Sequence, residues 1–137
     1  MDAWLRGSRK RPPRNLSIWS DRDLKDKLFL LPPGFEDNGR REFCPECAEI
    51  WGVLSYYPAI KEALDIVYVD LAHPRGPICE LLGEGQWNAP TLVLASSDSR
   101  HAIVEAKSSN GRAYLGSARE IAKYFSQKFG TAVPRGS

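Results

Sequence analysis

The sequence predicts an α/β domain with a central mixed sheet of about four strands flanked by helices, in the order β-α-β-α-β-β-α. Two observations carry this. An apolar run at Leu28 to Leu31 and a β-branched run at Asp65 to Leu71 bracket a helical pattern that opens at Pro45. A strand, a helix and a strand within about 45 residues form a crossover unit, whose strands pair in parallel with a right-handed connection. A third apolar run, Thr91 to Ala95, then precedes turn chemistry and a strongly marked last helix.

Leu28-Phe29-Leu30-Leu31 is stopped by Pro32-Pro33-Gly34, and its shortness suits a buried strand. A polar loop from Phe35 to Phe43 delivers the chain to Cys44. From Pro45, Cys47, Ile50, Trp51 and Leu54 recur at helical spacing until Tyr57-Pro58 ends or bends the helix. Asp65 to Leu71 is the second strand. A short helix from Ile78 to Leu82 closes on Gly83, and Asn88-Ala89-Pro90 leads into the strand at Thr91. Either His101 to Glu105 or Arg112 to Leu115 supplies an antiparallel return strand. Ser117-Ala118-Arg119-Glu120 is a capping box, with Ala118, Ile121, Ala122, Phe125 and Phe129 as the apolar stripe behind it.

The 137 residues, 42% hydrophobic and 26% charged, suit one globular domain. The expected boundaries are a basic N-terminal arm at 1–26, a domain at 27–130 and a tail at 131–137. Val133 to Ser137 reads either as the remainder of an engineered protease site or as a native tail. Residues 1–27 hold eight Lys or Arg against four Asp, so this end carries +4 and the rest −2 of the net +2. The arm lacks apolar periodicity, and Pro12-Pro13 opposes regular structure, so disorder is expected. It has no recognition motif or interleaved aromatics, so nucleic acid is not an expected partner. No run approaches the roughly 20 apolar residues of a membrane span, and a cytoplasmic protein is expected.

Three cysteines are too few for a secreted disulfide framework, whereas a close Cys-x-x-Cys pair in a reducing compartment reads as redox or metal chemistry. With Cys44 as the N-cap, Pro45 takes the first helical position and the Cys47 N–H points back toward the Cys44 sulfur. The helix terminus favours an anion by about 0.3 to 1 kcal/mol, less than about one pKa unit. Arg40 and Arg41 are candidates to stabilise a thiolate further, while Glu46 opposes it. Cys47, on the apolar face, is the candidate buried resolving thiol.

The order of elements, Cys44-Pro45-Glu46-Cys47 at the start of the first helix and Pro90 at the start of the third strand together resemble the thioredoxin superfamily over residues 27–130. The Cys-Pro-x-Cys form is similar to that of glutaredoxins. Leu28 to Pro33, Phe43 to Cys47 and His73 to Pro90 also resemble a bacterial family of uncharacterised thioredoxin-like proteins. The resemblance implies a thiol/disulfide oxidoreductase acting on protein or low-molecular-weight thiols, with catalytic Cys44 and Cys47. It also implies a Cys44–Cys47 disulfide in place of a cofactor. A cis Pro90 facing the cysteines is implied, with substrate contacts at Phe43, Pro45, Trp87, Ala89 and Pro90. Asn88-Ala89 before the proline, a long loop before Cys44 and no Gly-Gly before the last helix count against glutathione as co-substrate. Gly116-Ser117 nevertheless offers N–H groups where a carboxylate can dock. Phe43, standing where thioredoxins carry Trp, counts against thioredoxin-type reduction.

Two other readings stand beside this one. A thioredoxin-like interaction module would hold a partner at Ala89-Pro90 without turnover. A zinc site would draw on Cys44, Cys47, Cys79 and His73, although their spacing is not that of a zinc knuckle. Cys79 is otherwise a small buried hydrophobe, His73 and His101 are solvated residues, and Trp19 and Trp51 are packing residues.

Overall fold

The computed structural model describes residues 25–73, 75–95 and 106–137. Most of the basic arm, Trp19 and the possible return strand at 101–105 lie outside the described residues. The elements run β1 (Asp26–Leu30), β2 (Phe35–Asp37), β3 (Arg40–Glu42), α1 (Pro45–Tyr56), a 3-10 segment (Pro58–Ala63) and β4 (Leu64–Tyr68). They continue with α2 (Gly76–Leu82), β5 (Thr91–Val93), β6 (Lys107–Ser109), β7 (Arg112–Leu115) and α3 (Ala118–Phe129).

The architecture is mixed α/β. The main sheet has the order β4-β1-β5-β7-β6, and β2 and β3 form a separate two-stranded sheet. β1 and β4 pair in parallel, with Leu28 opposite Ile66, so the expected crossover through α1 is present. β5 runs antiparallel to β1, with Phe29 opposite Thr91, and β7 runs antiparallel to β5. β1 has a neighbour on each edge, and all five of its residues are buried. Leu28, Leu30, Ile50, Leu54, Ile121 and Phe125 belong to one core cluster that joins β1, α1 and α3.

The main sheet has five strands rather than about four because the return strand, Arg112–Leu115, carries an edge partner, β6. The Phe35 to Phe43 segment, expected as a loop, is instead the β2–β3 hairpin. Both additions turn on Asn-Gly. Asn38 and Gly39 have φ of 55° and 74°, and Asn110 and Gly111 have 53° and 74°. Two positive φ values in succession suit a two-residue hairpin turn, and Asn-Gly adopts them most readily. The short strands β2, β3 and β6 gave no apolar alternation to mark them.

The helices end where their sequence dictates. Pro58 stops α1 and begins the 3-10 segment, Gly83 follows α2 with its N–H bonded to the Cys79 carbonyl, and Gly130 closes α3. The capping box at α3 is modified. The Glu120 N–H donates to Ser117 Oγ, but the Glu120 carboxylate accepts from Gly116 N rather than from the cap residue. At the other end of the core, Asp26 is fully buried; it accepts from Ala95 N at 2.7 Å and pairs with Lys128 Nζ at 3.1 Å. Among the described residues no helix is long and apolar enough to cross a membrane.

Candidate thiol site

Cys44 and Cys47 lie at the N-terminus of α1. Cys44 is the N-cap, with φ −82° and ψ 115°, and Pro45 stands in the first turn, where its missing N–H leaves no bond unmade. The Cys47 N–H donates to Cys44 Sγ at 3.1 Å, and the Ala48 N–H donates to the Cys44 carbonyl at 3.0 Å. The Cys44 sulfur thus occupies the place that a Ser or Asp oxygen takes in ordinary caps. It is half-buried, and all three cysteines are free thiols.

Cys47 sits one turn on and is only 4% exposed. The Leu31 N–H, just past the end of β1, donates to Cys47 Sγ at 3.4 Å. Burial, then the side-chain hydrogen bond with Cys44, pushes the Cys47 thiol up to about 12, with the charges of Cys44 and Glu46 adding to the rise and the Leu31 N–H opposing it. The pair is therefore unequal: one sulfur is reachable and faces helix N–H groups, while the other is held as a neutral thiol beneath it.

The arginines expected to stabilise the Cys44 thiolate already have carboxylate partners within the hairpin. Arg40 Nε donates to Glu42 at 2.8 Å, and Arg41 Nη1 lies 3.8 Å from Glu36. Glu46 has a role the sequence did not disclose. Its Oε1 accepts the Ala118 N–H at 3.0 Å, so one of the two residues between the cysteines satisfies an orphan donor at the start of α3. Nearby, Arg119 Nε pairs with Glu49 at 2.8 Å. Of the Gly116 and Ser117 N–H groups expected to be open to a carboxylate, that of Gly116 is taken by Glu120, and the neighbouring Ala118 N–H is taken by Glu46.

Cys44 and Cys47 share a pocket of about 310 Å³ with Leu31, Pro32, Pro33, Phe43, Ala48 and Trp51. Phe43 is 60% exposed, and together with Pro45 it also lines an adjoining hollow beside Arg40 and Arg41. Ala89-Pro90 is a cis peptide. The β1–β5 register puts Pro90 toward the Leu31 end of β1, the end at which Cys47 is held. Asn88 ties this turn in place: its Nδ2 donates to Gly116 O at 2.8 Å and to Pro90 O at 3.0 Å. Ala89 and Pro90 do not line the cysteine pocket.

Trp87 lies elsewhere. It shares a hollow with Cys79, Gly76, Glu84 and Gly85, stacks on His73 at 4.8 Å between centroids, and has its carbonyl held by Arg75 Nη1 at 2.7 Å. Cys79 is half-buried on α2, and its thiol donates to Gln86 O at 3.3 Å. The four candidate zinc ligands are not gathered: among the described residues no group of three or more His, Cys, Asp or Glu is placed to hold a metal ion. Glu46 and Asn88 escaped the sequence reading because their partners lie far along the chain. Pro32-Pro33 was legible as a strand stop, and its position just after β1 was the available signal that it walls the site.

A family model described as a protein of unknown function, DUF3088, matches residues 25–133. No curated protein and no solved structure matches the chain.

Proposed function

The chain belongs to the DUF3088 family, and we propose from the cysteine pair itself that it is a thiol/disulfide oxidoreductase on a thioredoxin-like domain, with Cys44 attacking and Cys47 resolving. The observation that carries this is the inequality of the two thiols. Cys44 is reachable at a helix N-terminus, while Cys47 is buried, protonated and hydrogen-bonded to its neighbour. The strand–helix–strand unit and the position of Pro90 at the cysteine end of the sheet support the thioredoxin-like reading.

In the reducing direction, Cys44 as thiolate attacks one sulfur of a substrate disulfide. A Cys44–substrate bond forms, the substrate S–S bond breaks, and the leaving sulfur takes a proton as the first thiol. Cys44 is then an uncharged disulfide sulfur. Its charge, and the form of the pair that raised the Cys47 thiol, are gone, so Cys47 gives up its proton more readily at the step that needs it. Cys47 attacks the Cys44 sulfur, the Cys44–Cys47 bond forms, the Cys44–substrate bond breaks, and the leaving sulfur takes up a proton, balancing the one Cys47 gave up, as the second substrate thiol. Two electrons pass from the protein to the substrate, and the oxidising direction is the reverse.

Equilibration of the protein in glutathione redox buffers tests the proposal. A Cys44–Cys47 disulfide forming with a midpoint between about −270 and −120 mV fits the oxidoreductase range. Failure of the two cysteines to join overturns it.

A further inference from the structure

Building on that thiol/disulfide reading, we propose that the site serves uncharged low-molecular-weight disulfides carrying an apolar group, seated among Pro32, Pro33, Phe43 and Trp51, and that Glu46 turns away carboxylate-bearing ones. The pocket beside the cysteines has about 310 Å³ and no charged residue among those lining it. That volume is at the small end of ligand pockets and fits a compact apolar group better than a length of peptide. An extended chain pairing at Ala89 would lie outside it, because neither Ala89 nor Pro90 lines it.

Charge points the same way. A carboxylate-bearing disulfide needs positive partners near the reacting sulfur. Arg40 and Arg41 line the adjoining hollow rather than the cysteine pocket and face Glu42 and Glu36 there, and the Gly116 and Ala118 N–H groups at the nearby start of α3 are taken by Glu120 and Glu46. Glu46 is also close enough to Cys47 for its charge to raise that thiol, so an anionic substrate arriving at the pair meets the same field. Apolar walls and a resident carboxylate together select against anions by unpaired charge as well as by lost contact.

The test uses the full chain with Cys47→Ser and Cys79→Ser, which holds substrate on Cys44, the one thiol left, as a mixed disulfide detectable by intact mass. The probes share one disulfide core: 3,3′-dithiodipropionic acid and its bis-amides with ethyl, butyl and hexyl tails. The butyl amide is expected to react at least about tenfold faster than the diacid, each added methylene contributing up to about fourfold until the pocket fills. Ala48→Trp, which places a ring in the pocket from an exposed helix position, is expected to abolish the dependence on tail length. Glu46→Gln, which keeps an oxygen for the Ala118 N–H, is expected to narrow the amide-to-acid ratio at least about twofold at low salt. Equal rates for all probes, or a tail dependence untouched by Ala48→Trp, overturn this inference and leave the oxidoreductase reading intact. A disulfide-bridged peptide reacting faster than every amide does the same. No mixed disulfide with any probe overturns both.

Discussion

Glu46 Oε1 lies 3.0 Å from the backbone nitrogen of Ala118, so one of the two residues between the cysteines also caps a helix 72 positions away. The contact joins the site to the fold, because α3 carries much of the core through Ile121 and Phe125. Replacing Glu46 with Ala leaves the Ala118 N–H without its partner and removes a negative charge from the positive end of α3. A loss of about 1 kcal/mol is expected, the usual scale for a lost helix cap. Urea unfolding of the reduced protein measures it. Glu46→Gln is expected to lose less, since an acceptor remains.

The Cys47 thiol makes the reduced protein sensitive to alkali. Its folded value is raised from 9.0 to about 12, chiefly by burial. Above pH 9 the unfolded chain gives up this proton while the folded chain keeps it. Stability from the protonated, buried thiol is therefore complete below pH 9 and is lost as pH rises toward 12. Thermal unfolding of the reduced protein between pH 8 and about 11 is expected to show a decline that Cys47→Ala lacks. Parallel declines in the two proteins would assign the effect to other groups.

The same inequality predicts selective alkylation. Iodoacetamide at neutral pH is expected to modify Cys44 in the native reduced protein well before Cys47, because only a thiolate that the reagent can reach reacts. Peptide mass spectrometry after a short exposure reads the ratio, and denaturation in urea should bring the two rates together. Equal labelling of both cysteines in the native protein would contradict the burial of Cys47 and its bond from Leu31.

The parts of this fold that the sequence disclosed are those written in apolar periodicity and caps. Leu28 to Leu31, the α1 pattern through Ile50 and Leu54, and the Ser117 cap each place a hydrophobic face or a helix end by local rules. The placement of Cys44 as N-cap followed from Pro45 in the same way. The hairpins were harder, since the three-residue strands β2, β3 and β6 have no face to reveal and only Asn38-Gly39 and Asn110-Gly111 mark their turns. Least legible were pairings across the chain. Nothing near Glu46 announces Ala118, nothing near Asn88 announces Gly116, and the Arg40 and Arg41 partners depend on the unrecognised hairpin.

The Asp26–Lys128 pair separates stability from chemistry. Asp26 is fully buried, while Lys128 keeps 13% of its side chain exposed, and 3.1 Å separates the charged atoms. Lys128→Met keeps an unbranched apolar stem but loses the ammonium that lies 5.7 Å from the Tyr124 ring centroid and 5.5 Å from that of Phe129, and it strands a buried carboxylate that keeps the Ala95 N–H. Removing one member of a buried pair costs about 3 to 5 kcal/mol, and the lower end applies here because the lysine is partly solvated. Adding Asp26→Asn to Lys128→Met is expected to recover part of the loss, since the stranded charge is then gone. The pair sits at the start of β1, whereas Leu31 meets Cys47 past its end, roughly 16 Å along the strand. The midpoint of the Cys44–Cys47 couple is therefore expected to stay within experimental error in Lys128→Met under conditions where the protein remains folded. A shifted midpoint would mean that the two ends of β1 are coupled through the sheet.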